Sequence, residues 1–109
     1  MKALSEKKCV PCEGGVKPLT PAKAKLLGKK LQKDWKIGKD SKSLTRSLRF
    51  KDFYRTMSFV NAVAFIANGE DHHPDLEVGY DYCRVTYSTH SIGGLSVNDF
   101  ICAAKLDRL

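Results

Sequence analysis

Every histidine of the chain falls within nineteen residues: His72, His73 and His90. Imidazole is the side chain that gives or takes a proton near neutral pH, with an ordinary pKa of about 6.5. The first two sit in the run Asp71-His72-His73-Pro74, Tyr80 lies between the pair and His90, and Asp99 follows nine residues after His90. Such a concentration suits proton-transfer chemistry, although residue types alone leave chance clustering open. Neighbouring side chains on an extended backbone point to opposite sides, and Pro74 biases His73 toward that conformation. One histidine of the pair is then expected to face a pocket while the other braces it, unless the loop twists to present both. His90 is expected to end a strand beside Ser88 and Thr89, whose hydroxyls and backbone suit a polar heterocycle.

Periodicity gives the elements that must position these residues. Residues 1–18 are polar and contain Gly14-Gly15 and Pro18, which reads as an N-terminal arm ahead of a domain over 19–109. Thr20-Pro21 opens a first helix over about 21–33, a surface helix with Leu26, Leu27 and Leu31 as a narrow apolar stripe. A hairpin follows across 35–50, with Gly38-Lys39-Asp40-Ser41 as turn residues and Leu44, Leu48 and Phe50 alternating with polar neighbours. From Lys51 the period becomes helical. Phe53, Met57, Val60, Ala64 and Ala67 form one stripe, and this is expected to be the most buried helix, ended by Asn68-Gly69 as a left-handed cap. Leu76, Val78 and Tyr80 alternate, then Cys83, Val85 and Tyr87, with Asp81-Tyr82 as the turn between two strands. Gly93-Gly94 breaks the second of these, and Ser96-Val97-Asn98-Asp99 opens a last helix to about residue 108. The order is α-β-β-α-β-β-α, an α+β fold with a four-stranded antiparallel sheet and three helices on one face.

Asp99 has two compatible readings, the acidic half of a capping box begun by Ser96 and a support for a histidine. Tyr80 reads as a strand core or wall residue. For Trp35, pocket lid and surface anchor stand equally. His72 and His90 lie in a loop and at a strand end, where truncation is expected to cost little stability.

At 109 residues the chain fits one domain with one core, and an apolar share of 42% is that of an ordinary globular protein. No apolar run approaches the ~20 residues that a membrane helix needs, and the N-terminus lacks the apolar stretch of a secretion signal. The net charge of +7 divides into +11 over residues 1–55 and −4 over 56–109. A basic half raises nucleic acid as a partner, but the lysines are spread along a helix and its flanks rather than interleaved with aromatics, which argues against it. Cys9, Cys12, Cys83 and Cys102 mark no secreted disulfide scaffold, so reduced thiols and a cytoplasmic location are expected. Cys9-Val10-Pro11-Cys12 is half of a zinc pattern without its other half, and no metal is expected there.

His-His-Pro, five residues, Tyr80, nine residues, His90, eight residues and Asp99 together resemble the pterin-4a-carbinolamine dehydratase family. Trp35, Arg49-Phe50-Lys51-Asp52-Phe53, Ser88-Thr89-His90 and Gly94-Leu95-Ser96 also match, so the resemblance covers about residues 20–109. The Cys9 to Gly15 lead-in is similar to that of many microbial members. The family commonly carries Glu four positions before the first histidine; here that position is Asn68, and Glu70 lies two residues further on. The resemblance implies dehydration of a 4a-hydroxy-tetrahydropterin formed by an aromatic amino acid hydroxylase. It implies catalytic His72, His73 and His90, with His73 chiefly orienting the pterin. Binding would fall to Asp71, His72, His73, Pro74, Ser88, Thr89, His90 and Ser91, with Asp99, Trp35 and Tyr80 in support. It implies no cofactor, and a homodimer or homotetramer. Two alternatives come with it. Animal members serve as dimerisation cofactors of a homeodomain transcription factor, and some relatives serve pterins linked to molybdenum cofactor metabolism.

Overall fold

A computed structural model describes residues 3–11 and 16–109, which leaves Cys12 and Gly14-Gly15 outside the described residues. The elements are α1 (Pro21–Gly28), β1 (Lys36–Ile37), β2 (Leu44–Arg49), α2 (Phe53–Glu70), β3 (Asp75–Val78), β4 (Tyr82–Tyr87) and α3 (Val97–Leu106). The strands form one antiparallel sheet in the order β1-β2-β4-β3. Its register sets Leu44, Arg46 and Leu48 opposite Tyr87, Val85 and Cys83 on the face that carries the helices. The other face is polar, and there the Thr45 and Thr86 hydroxyls hydrogen-bond across the strands at 3.1 Å.

The largest departure from the periodicity concerns which helix the core is built on. In α2 only Thr56, Val63 and Ala67 are buried, while Phe53, Tyr54 and Phe65 stay exposed. Every residue of α3 except Val97 and Lys105 is buried. The reason is the arm: residues 4–6 form a 3-10 turn against α3, Leu4 enters the core and the Ser5 carbonyl accepts from Lys105 Nζ at 2.9 Å. Helix α3 is thus covered on a side that would otherwise face water. The start of α3 is as expected, with Ser96 and Asp99 forming a capping box.

Helix α1 ends at Gly28 rather than near residue 33. Thr20 Oγ1 accepts the Lys23 N–H at 3.3 Å, and Pro21 takes the first helical position. Beyond Gly28 the chain continues in tight turns that deliver Leu31 and Trp35 into the core. Trp35 is neither lid nor surface anchor. It is buried, its ring lies 6.2 Å from that of Tyr87, and its Nε1–H donates to Asp107 Oδ1 at 2.7 Å. The same carboxylate holds Arg46 at 2.8 Å and accepts the Gln32 N–H, which joins α1's tail, β2 and the end of α3.

Tyr80 is also corrected. It is 66% exposed in the β3–β4 turn and stacks on Phe53 rather than walling the core. That turn uses residues 79–81, and Tyr82 already belongs to β4. A Cβ at Gly79 would come within 2.0 Å of the Tyr82 ring, so the ring's place over the turn depends on glycine there. Strand β3 is an edge, and Leu76 and Val78 remain more than a third exposed on it. No helix among the described residues is long and apolar enough to cross a membrane.

Candidate active site

The site is aimed by the way α2 stops. The left-handed cap is Asp71 (φ 51°, ψ 43°), not Asn68-Gly69, and both Asn68 and Gly69 remain helical. Aspartate enters this region more readily than most residues. The Ala67 carbonyl accepts from both Asp71 and His72 backbone N–H groups, the latter at 3.1 Å. This closes the helix end and turns the chain sharply inward at His72. The next turn of chain, through His73 and Pro74, leads out to β3.

His72 therefore points under the fold. Its side chain is 12% exposed, and Nε2 donates to Asp99 Oδ1 at 2.6 Å. Asp99 is fully buried, and its other oxygen accepts from the Ser96 N–H at 2.9 Å and the Thr89 hydroxyl at 2.8 Å. Thr89 Oγ1 in turn lies 2.8 Å from Ser96 Oγ. One carboxylate thus caps α3 and holds the imidazole, so both readings of Asp99 apply together. An acceptor-only carboxylate fixes Nε2 as the protonated nitrogen and leaves Nδ1 with the lone pair.

The ring of Tyr87 lies 5.9 Å from that of His72 and almost parallel to it, at 9°. Tyr87 is wholly buried, and its hydroxyl has no hydrogen-bond partner among the described residues. Burial first, and then the charges of Cys102, Cys9 and Asp99, push its phenol far above the ordinary 10.0. It stays neutral and acts on His72 as a packing plane.

His72 opens onto a cavity of about 390 Å³. Glu70 and Asp71 bring the end of α2 to it, Thr89, Ser91 and Asn98 come from the β4–α3 side, and Cys9, Val10 and Pro11 of the arm form its remaining wall. Of the residues expected at the site, Asp71, His72, Thr89 and Ser91 meet here, with Asp99 behind His72. His73, Pro74, Ser88 and His90 do not line the cavity, and Trp35 and Tyr80 lie apart from it. His90 does not end β4; it begins a 3-10 turn, His90–Ile92, and is exposed, as is His73. That turn is pinned by Thr89 and Gly94, which bond each other's backbone, with Gly93 at φ 69° closing it. The Thr89 hydroxyl is committed to Asp99 and Ser96 rather than directed at a ligand. Among the described residues, no three or more His, Cys, Asp or Glu side chains are grouped to hold a metal ion.

Tyr87, Glu70, Asn98 and the arm were not among the expected site residues. Tyr87 was legible only as an inward strand position, and Glu70 and Asn98 only as neighbours of Asp71 and Asp99. The arm's role rests on contacts across some ninety residues, which no local pattern carries.

Comparison with known proteins agrees with this architecture. A family model described as pterin 4 alpha carbinolamine dehydratase matches residues 17–109. A Nitrosomonas europaea protein, provisionally named a pterin-4-alpha-carbinolamine dehydratase, is 57% identical over 97% of this chain and 92% of its own length. A Legionella pneumophila protein of the same provisional name is 53% identical over 97% of this chain and 94% of its own. Among solved structures, a transcriptional coactivator/pterin dehydratase from Brucella melitensis superposes with a TM-score of 0.78 at 31% identity, over 84% of this chain and 96% of that one. These matches over nearly the whole length show that the chain belongs to the pterin-4-alpha-carbinolamine dehydratase family.

Proposed function

We propose that the chain removes water from a 4a-hydroxy-tetrahydropterin to give the quinonoid dihydropterin, by histidine acid–base catalysis. The observation that carries this reading is the 2.6 Å contact between His72 Nε2 and the buried Asp99 at the floor of the cavity. Dehydration removes the proton on N5, forms the N5–C4a double bond and expels the 4a hydroxyl as water. It needs a base at N5 and an acid at the hydroxyl, each worth about 10²–10⁴-fold. His72 suits the base: Asp99 fixes its Nε2–H, leaves Nδ1 free to take the N5 proton, and stabilises the imidazolium that results. His90 is next to the cavity-lining residues Thr89 and Ser91, and we assign it the acid. His73, next to His72 on the exposed side, would orient the pterin, with Ser91 and the backbone near Asp71 gripping its polar edge.

The family name and the provisional names of the Nitrosomonas and Legionella relatives support this substrate class. The reaction would serve tetrahydropterin recycling beside an aromatic amino acid hydroxylase, in a cytoplasmic compartment. Self-association belongs to the same proposal. Tyr54 and Phe65 are 82% and 81% exposed, eleven residues apart on α2, which places them on one face, and β3 leaves its edge unpaired. Sedimentation equilibrium at micromolar concentration is expected to give at least a dimer, and a monomer would remove this part. The activity is tested by following 4a-hydroxy-tetrahydropterin generated in situ by a hydroxylase. Catalytic amounts of the protein should accelerate appearance of the quinonoid dihydropterin over the spontaneous rate, and no acceleration would refute the reading.

A further inference from the structure

Contacts to Glu70, Asn98 and Cys102 hold Cys9 and Val10 of the arm at the cavity wall. Glu70 Oε1 accepts the Cys9 N–H at 2.8 Å. Asn98 clamps the next peptide on both sides, with Oδ1 accepting the Val10 N–H at 3.0 Å and Nδ2 donating to the Val10 carbonyl. The third contact is between sulfurs: Cys9 Sγ lies 3.5 Å from Cys102 Sγ, although the residues are 93 apart in sequence. Both are free thiols, Cys9 half-buried at the cavity wall and Cys102 wholly buried on α3. Cys102 follows Asp99 by about one helical turn.

We propose that Cys9 and Cys102 are a disulfide-forming pair, oxidised by a small-molecule disulfide and reopened by a thiol, that fastens the arm to α3 at the wall of the His72 cavity. Exposure sets the order of events. The Cys9 thiolate attacks one sulfur of the small disulfide, whose S–S bond breaks. One thiolate leaves and Cys9 carries the other half. Cys102 then loses its proton and attacks the Cys9 sulfur, the mixed disulfide breaks and the second thiolate leaves. The two protein sulfurs are oxidised by two electrons, the small disulfide is reduced to two thiols, and the protons of Cys9 and Cys102 end on those thiols.

The surroundings of Cys102 favour this sequence. Its shared hydrogen bond with Cys9 is the first cause holding it protonated, ahead of burial. Once Cys9 is capped as a mixed disulfide, that cause is gone and the second step is eased. Closing the bond brings the sulfurs from 3.5 Å to about 2.0 Å, a movement that a short arm absorbs. The bond would tie Val10 and Pro11, which wall the cavity, to the helix whose Asp99 holds His72. Disulfides in a reducing compartment are characteristically transient or redox-sensing, and this one would set how freely the wall moves.

The test treats the full chain, native, with oxidised glutathione, blocks remaining thiols and maps linked peptides by mass spectrometry. Wild type and Cys12→Ser should both yield a Cys9–Cys102 linkage that dithiothreitol removes. Oxidation should raise Tm by about 10 °C or more, because a long loop is closed. Cys9→Ser, which changes a half-buried position and leaves the core intact, should show neither effect. A Cys9–Cys12 linkage in wild type, glutathione stalled on Cys9, or no reaction would each overturn the proposal.

Discussion

His72 and His90 are the same side chain in opposite surroundings. His72 sits between a carboxylate and an aromatic plane at 12% exposure. His90 stands on an exposed 3-10 turn, and its side chain has no hydrogen-bond partner among the described residues. A fixed imidazole has one tautomer and one free nitrogen, whereas a solvated one can swing to meet a substrate. Under the proposed reaction, the proton chemistry would be divided between a held group, His72, and a solvated one, His90. The contrast also separates the two histidines in expected cost: truncation at His72 would leave a buried carboxylate without its donor, while truncation at His90 would not.

The sharpest test of that contrast compares His72→Ala with His90→Ala. His72→Ala should lower turnover of the carbinolamine by about 10²–10⁴-fold, and should also lower stability by about 1–3 kcal/mol, because Asp99 Oδ1 is left buried without its donor. His90→Ala should lower turnover by about 10²-fold while urea unfolding shifts by no more than about 0.5 kcal/mol. Equal stability losses in the two variants would erase the distinction. Full activity in both, while folded, would remove the mechanism.

A smaller effect is expected from weakening the hold on His72 while leaving the ring in place. Asp99→Asn keeps the volume but no longer demands the Nε2–H tautomer, and kcat should fall roughly 10–100-fold. The pH–rate profile should change with it, since the imidazolium loses its counter-charge. A fall in kcat with an unaltered profile would mean that Asp99 acts only through the helix cap.

The smallest effect concerns the packing plane. The Tyr87 hydroxyl is buried without a partner among the described residues, so Tyr87→Phe should be neutral or slightly stabilising at pH 7 and nearly silent in turnover. Above pH 10 the variant should gain on wild type. The folded pKa of Tyr87 is raised, so its contribution is intact below the ordinary 10.0 and is lost as pH rises beyond it, when only the unfolded chain releases the proton. Wild type should therefore lose about 1.4 kcal/mol per pH unit there that the variant keeps. Identical alkaline unfolding curves would show that Tyr87 is not the titrating group.

The order of elements and the start of α3 were legible because each rests on neighbours in sequence. Alternation marks Cys83, Val85 and Tyr87, and Ser96 with Asp99 makes a box three residues apart. Other features depend on what distant chain covers. The stripe on α2 looked like the main core face because nothing in its own period says that the arm would cover α3 instead. Trp35 was ambiguous because its partner, Asp107, lies 72 residues away. At the site, Pro74 pointed only to an extended conformation at His73, with the two histidines on opposite sides of the chain. Which histidine turned inward depended on a left-handed residue at Asp71 that Asn68-Gly69 concealed, since glycine and asparagine are the commoner choices for that conformation.

That left-handed Asp71 also bears on how the gene can vary. His72 follows directly from the last turn of α2, so its direction is locked to the phase of an eighteen-residue helix. One residue inserted in or deleted from α2 would turn the imidazole by about 100° about the helix axis and shift it about 1.5 Å along it, away from Asp99. Length changes in this lineage should then be confined to the arm and the β1–β2 connection, while α2 drifts by substitution alone.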